Sequence, residues 1–149
     1  MWNDQVGARS DKVRNPVEEG AVRQFAEAIG DLNPLYLDET AARSSHWGRR
    51  IAPPTFPRTF DFGSVPGVRL PEAGTIHGEQ AYRYERPLFV GEAVFCHSLL
   101  RDVYERAGKA GTMTFLVFER AGDDAEGTRV FTCEETYIIT EAVRRSMEP

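Results

Sequence analysis

A chain of 149 residues has room for one domain of ordinary size, and 41% hydrophobic with 28% charged residues supplies a core that needs neither disulfides nor a structural metal. The formal net charge of −5 speaks against non-specific binding to nucleic acid or to an anionic membrane surface. The start, Met1-Trp2-Asn3-Asp4-Gln5-Val6, has no basic segment followed by an apolar run, and no apolar stretch reaches the ~18 residues of a membrane helix. A cytoplasmic protein in a single domain, residues 1–149, is therefore expected.

Residues 1–14 are polar and unpatterned, a loose lead-in. A helix is expected next, with Asn15 as N-cap, Pro16 at the first helical position and Glu18 completing a capping-box-like start. Val22, Phe25, Ala26 and Ile29 give it one apolar face, and Gly30 stops it. Asp31-Leu32-Asn33-Pro34 reads as a turn, and a short second helix begins at Asp38. Residues 45–75 are rich in Gly and Pro. A helix over residues 55–62 is compatible with them if Pro57 sits in its first turn.

From Gly78 the character changes. Residues 79–88, 93–104, 113–120 and 130–140 are rich in Tyr, Phe, Val, Ile and Thr, as strands are, with Gly-rich hairpin loops at 106–111 and 122–127. Helices before antiparallel strands, with no helix after residue 100, define an α+β architecture with helices gathered on one face of the sheet. Cys96 and Cys133 lie alone in strand-like runs and read as small buried residues. The three histidines lack metal-ligand spacing, and there is no Gly-rich phosphate loop, GxSxG elbow or Walker motif, so neither metal nor cofactor is expected.

The stretch Gly30-Asp31-Leu32-Asn33-Pro34-Leu35-Tyr36-Leu37-Asp38 resembles the signature of MaoC-like (R)-specific enoyl-CoA hydratases, a pattern close to GDxNPxHxD. That family then carries a glycine and a hydrophobic-x-HG step, which here reads Gly48-Arg49-Arg50-Ile51-Ala52-Pro53-Pro54-Thr55. Arg86-Pro87-Leu88-Phe89-Val90-Gly91-Glu92 resembles its RPLxxGD turn, and Gly111-Thr112-Met113-Thr114-Phe115 is similar to a motif of its N-terminal-type branch. The resemblance covers residues 13–140. It implies a hot-dog fold, an antiparallel sheet wrapped around a central helix within or near residues 53–62, assembled as a homodimer or heterodimer. It implies reversible addition of water across a 2-enoyl thioester of CoA or acyl carrier protein. In that chemistry an Asp and a His move protons, and the glycine N–H of the HG step polarises the thioester carbonyl.

Carried over position by position, the resemblance is incomplete. Asp31 matches the family's acid, and is equally an ordinary turn residue after a helix. Asn33 matches the family's asparagine, where Asn-Pro turn chemistry also suits it. Tyr36 stands where the family has His. A phenol with a pKa of about 10, against about 6.5 for imidazole, is a poor proton shuttle at neutral pH. Pro53 and Pro54 replace the HG step, and a proline at the glycine position has no N–H to give, leaving the Thr55 N–H or hydroxyl as the nearby substitute. His77-Gly78 repeats the letters HG, but opens a strand. Arg49, Arg50, Arg58 and Arg69 gather around the proline-rich segment, either as contacts for carrier phosphates or as solvated surface charges.

Three functions fit. The first is a subunit of an (R)-specific 2-enoyl-thioester hydratase or 3-hydroxyacyl-thioester dehydratase, the degenerate half that shapes the acyl pocket for a catalytic hot-dog partner. The second is an acyl-CoA or acyl-carrier-protein thioester-binding protein without chemistry. The third is a hot-dog thioesterase. Fold alone does not choose among them.

Overall fold

The β-rich second half folds as consecutive antiparallel hairpins. In the computed structural model, which describes residues 1–148, strand β3 (Ala93–Gly108) turns at Lys109-Ala110 into β4 (Gly111–Asp123), and β4 turns into β5 (Arg129–Ile139). Asp124 shapes the second turn, its side chain accepting from the N–H groups of Glu126 and Thr128. Two further strands complete one five-stranded antiparallel sheet of order β1-β3-β4-β5-β2, with β1 (Val13–Pro16) on one edge and β2 (Ile76–Tyr84) on the other.

Because β1 and β2 lie on opposite edges, residues 17–75 must cross one face of the sheet. That crossing carries α1 (Glu19–Ile29), α2 (Pro34–Leu37) and α3 (Glu39–Arg43). Val22 and Ala26 of α1 are fully buried against a cluster that includes Val94, Cys96, Val130, Phe131 and Cys133. Each large apolar side chain buried there contributes about 1.5–3 kcal/mol. Phe131 itself fits only because Gly122 faces it, since a Cβ at Gly122 would lie 2.4 Å from its ring. The fold is the α+β hot-dog class that the resemblance implied.

Several expectations need correction. The lead-in is not loose: Trp2 is buried and its indole N–H donates to the Arg69 carbonyl at 2.9 Å. Asn15 and Pro16 belong to β1, not to a helix start, and α1 begins at Glu19. Pro16 is tolerated because an edge strand does not need every N–H. Asn15 is buried and spans to the crossing, accepting from the Asp61 N–H and donating to the Asp61 carbonyl, both at 2.8 Å. The Asp31–Asn33 turn runs directly into a short helix at Pro34–Leu37 that was not expected.

The long central helix is reduced to one 3-10 turn, Phe56–Thr59. Pro53, Pro54 and Pro57 withhold N–H donors, and Gly63 and Gly67 at φ 72° and 76° turn the chain away from helical geometry. Aromatic packing fills the place instead: Phe56 meets Phe25 and Phe60 edge-on at 5.6 and 5.5 Å, and Phe62 meets Phe131 at 6.2 Å. A six-residue helix, α4 (Glu141–Ser146), does follow residue 100. Thr140 caps it by accepting from the Val143 N–H, and Arg144 and Arg145 suit its C-terminal end. Among the described residues no helix is long and apolar enough to cross a membrane.

Candidate functional site

The site begins at the C-terminus of α1. Gly30, left-handed at φ 70°, closes the helix by donating to the Ala26 and Glu27 carbonyls. Asp31 follows, exposed, with its N–H on the Ala26 carbonyl at 3.0 Å. Asn33 then caps α2 by accepting from the Leu35 N–H at 3.0 Å, with Pro34 at the first helical position. Asp38 caps α3 by accepting from the Ala41 N–H at 3.1 Å. Asn33 and Asp38 thus have local backbone work, and the Asp31 carboxylate acts on Tyr36. Burial raises the Tyr36 pKa, and the adjacent Asp31 carboxylate raises it further by repelling the phenolate and accepting from the phenol.

Tyr36 lines a cavity of about 340 Å³ together with Trp47, Ile51, Ala52, Pro54, Tyr84 and Leu88. Two non-local contacts build its wall. Residues 50–52 lie antiparallel to 88–90, through Ala52 N–H on the Leu88 carbonyl at 2.9 Å and Val90 N–H on the Arg50 carbonyl at 3.0 Å. The Tyr84 hydroxyl donates to the Pro54 carbonyl at 2.6 Å, joining the proline segment to β2. Glu85, Arg86 and Pro87 complete the lining. Arg86 is held by Glu92 through two bonds of 2.7 and 2.8 Å, and Glu92 also accepts from the Phe89 N–H at 2.7 Å. The Arg-Pro-Leu-Phe-Val-Gly-Glu motif is therefore a self-fastened turn.

The structure places Tyr36 and Pro54 on one cavity, with Asp31 exposed next to Tyr36 and outside the lining, and keeps other candidates apart. Pro53 is fully buried, and Thr55 is exposed at the start of the 3-10 turn without lining the cavity. His77 and Gly78 open β2, seven residues from Tyr84, roughly 20 Å away at ~3.3 Å per strand residue. His77 packs edge-on against Tyr137, with ring centroids 5.5 Å apart. Gly78 gives Ile138 its space, since a Cβ there would lie 2.8 Å from the Ile138 Cδ1.

Sequence reasoning missed Trp47, Ile51 and Tyr84 as cavity residues. The alternation of Tyr82 and Tyr84 puts both on one face of β2 and was the available signal; Trp47 had none. It also missed a buried polar cluster. Glu135, 1% exposed, accepts from Gln80 at 2.6 Å, Tyr137 at 2.9 Å and Arg58 at 3.1 Å, and pairs with Arg120 at 2.6 Å. Arg58 lies in the 3-10 turn, so the cluster pins the cavity's proline segment to β4 and β5. The two cysteines are buried, and burial pushes the Cys96 thiol up to about 12.

The chemistry available in the cavity is limited. Its polar side chains are those of Tyr36, Tyr84, Trp47, Glu85 and Arg86. The hydroxyl of Tyr84 and the guanidinium of Arg86 are already bonded. Pro54 contributes no N–H, and its carbonyl is taken by Tyr84. Among the described residues no group of three or more His, Cys, Asp or Glu side chains converges as a metal site.

Comparison with known proteins agrees with this architecture. Residues 4–133 match the family model described as FAS1-like, dehydratase domain region. A UPF0336 protein of Thermobifida fusca is 38% identical over 93 residues, 58% of this chain and 61% of that protein. A UPF0336 protein of Streptomyces avermitilis is 36% identical over 108 residues, 67% of this chain and 72% of that protein. Among solved structures, a MaoC-like dehydratase superposes with a TM-score of 0.79 at 22% identity, over 95% of this chain and 44% of that one. The C-terminally truncated HadBC (3R-hydroxyacyl-ACP dehydratase) complex of Mycobacterium tuberculosis gives 0.74 at 18% identity, over 93% of this chain and all of that one. The ChsH1-ChsH2 complex of the same organism gives 0.74 at 23% identity, over 89% and 88%. The chain belongs to the FAS1-like, dehydratase domain region family and shares its hot-dog fold with a MaoC-like dehydratase.

Proposed function

We propose that this chain is a single hot-dog subunit of an (R)-specific 2-enoyl-thioester hydratase or 3-hydroxyacyl-thioester dehydratase, the half that shapes the acyl pocket for a catalytic partner. The observation that carries this reading is the state of Pro54. At the position where the resemblance calls for an N–H donor to the thioester carbonyl, the wall offers a proline whose own carbonyl is bonded to Tyr84. The second proton-handling group is changed as well, because Tyr36 holds its proton more tightly than a free phenol. Asp31 and Tyr36 occupy the positions of the catalytic pair, and Pro53, Pro54 and Asn33 act as framework. The apolar wall of Trp47, Ile51, Ala52 and Leu88 suits the acyl part of a thioester carried by CoA or an acyl carrier protein.

A partner is supported by the sheet. β2 is an edge strand of nine residues whose outer side carries no strand among the described residues, and Ile76 on it is 48% exposed. The solved neighbours named above include subunits of two-component complexes. A second hot dog pairing along β2, identical or not, covers that edge, and one bearing an intact Asp and His supplies the chemistry.

The test uses the crotonyl thioester of N-acetylcysteamine, which has an acyl group and no phosphate. Trp47 lines the cavity and is 40% exposed, whereas Trp2 is buried elsewhere, so binding changes the Trp47 emission. The expected result is saturable binding without hydration. Trp47→Phe is expected to abolish the optical signal while calorimetric binding persists. Absence of binding contradicts the assignment of the cavity, and hydration at an ordinary enzymatic rate contradicts the assignment of the subunit.

A further inference from the structure

We propose that a second cavity, which shares no lining residue with the acyl cavity, binds a small carboxylate with a short aliphatic tail. It measures about 260 Å³ and is lined by Ser98 of β3, by Phe118 and Arg120 of β4, and by the loop at residues 63–70. Ser98 and Arg120 are direct partners across the two strands.

Arg120 carries the charge of this site. It belongs to the buried cluster in which two guanidinium groups share one carboxylate: Arg58 and Arg120 pair with Glu135 at 3.1 and 2.6 Å. Gln80 and Tyr137 donate to the same carboxylate. A carboxylate offers about four acceptor sites, so these four groups saturate Glu135 and one positive charge is left over. Arg120 is meanwhile under-used. It reaches Glu135 through one terminal nitrogen, and among the described residues its buried Nε has no hydrogen-bond partner. A guanidinium has five N–H donors, and leaving a buried one without an acceptor is unfavourable. An anion in the adjoining cavity supplies both the acceptor and the missing charge.

The arginine is held before any ligand arrives. Its guanidinium lies over the ring of the buried Phe62 at 5.0 Å. The Ser10 hydroxyl donates to the Phe62 carbonyl at 2.7 Å and accepts from the Ser98 N–H at 2.9 Å, which ties that loop to β3. Fixing the fork in advance lowers the side-chain entropy cost of binding. The remaining lining sets the shape of the ligand. Val65, Val68, Leu70 and Phe118 are apolar, while Ser98 and the exposed Ser64 bring hydroxyls. A single cation with apolar walls suits a single carboxylate on a hydrocarbon tail. A polyanion would leave its further charges against valine and leucine.

Calorimetric titration with hexanoate at neutral pH, with hexanamide as the uncharged control, tests the site. Hexanoate is expected to bind at least about tenfold more tightly than hexanamide, because only the anion forms charge-assisted hydrogen bonds with Arg120. In heteronuclear NMR the Arg120 Nε–H signal is expected to move as hexanoate is added. Ser64 is exposed at the cavity, so charge is added there without disturbing the core. Ser64→Glu is expected to weaken hexanoate binding and Ser64→Lys to tighten it. Arg120→Gln is expected to abolish it. That exchange also removes a partner of Glu135, so circular dichroism verifies its fold, and the Ser64 pair decides the question independently. Absence of hexanoate binding, equal affinity for hexanamide, or equal affinity in the two Ser64 variants overturns the proposal. Displacement of hexanoate by the crotonyl thioester overturns it too, since both ligands would then occupy the acyl cavity.

Discussion

The loop at residues 30–38 and the segment at residues 53–62 border one cavity and have fared differently. The first keeps its framework. Gly30, Asn33 and Asp38 still close and cap three helices, and these bonds do not involve the side chain at position 36. On the proposed reading Tyr36 takes the place of a histidine without disturbing the loop. The second is one 3-10 turn, without a long helix to frame it. Prolines at 53, 54 and 57 remove the N–H groups that a long helix and its oxyanion-binding start require, and the segment is held by side chains instead. The lesson is that one border of the cavity keeps its frame whatever side chain stands at position 36, while the other depends on a separate set of anchors. Those anchors are Phe56 below, Tyr84 at Pro54 and Glu135 at Arg58.

That difference is sharpest when the anchors are removed. Glu135→Ala leaves Arg120 and Arg58 facing a buried gap, and the expected loss is about 3 kcal/mol in urea unfolding, the lower end for a broken buried pair because Arg58 is partly exposed. A loss below about 1 kcal/mol would separate the cluster from the proline segment. In the first loop the matching change is milder: Asn33→Ala removes one cap and costs about 1 kcal/mol.

Much of this contrast was legible in the sequence, and the reason is locality. Gly30 and the Asp38 cap are settled by neighbours within four residues. The missing N–H of Pro54 is a covalent fact. By contrast, Asn15-Pro16 suits a helix start and an edge strand equally, and the choice depends on pairing with Val94 and Ala93 far along the chain. The cavity wall was hidden for the same reason, because it forms only when residues 50–52 meet 88–90 and Tyr84 reaches Pro54. A strand rich in Tyr and Thr also conceals a fully buried glutamate whose partners come from β2, β4 and the 3-10 turn.

The smallest expected effect concerns the contact inside the first loop. Tyr36 has a raised pKa in the folded chain, so its contribution to stability is complete below about pH 10 and is lost as pH rises through the folded value. Asp31→Asn removes the repulsion but not the burial. The phenolate absorbance of the folded protein is then expected to appear at lower pH than in the parent, by a difference that vanishes in a Tyr36→Phe background. No difference would mean that Asp31 and Tyr36 do not act on each other.

The central claim, that the second segment and not only the first disables the chain, is tested most directly by hydration of crotonyl-CoA. The rate is measured for the purified chain, for Tyr36→His, and for the chain mixed with a hot-dog partner that has an intact Asp–His pair and HG step. General acid–base catalysis supplies roughly 10²–10⁴-fold and an oxyanion donor on the order of 10²–10³-fold, so restoring one while the other is missing recovers little. The account predicts no turnover above background for the chain alone, a gain of less than about tenfold for Tyr36→His, and turnover in the mixture that exceeds the partner's own. An ordinary enzymatic rate from the chain alone, abolished by Asp31→Asn, would contradict it.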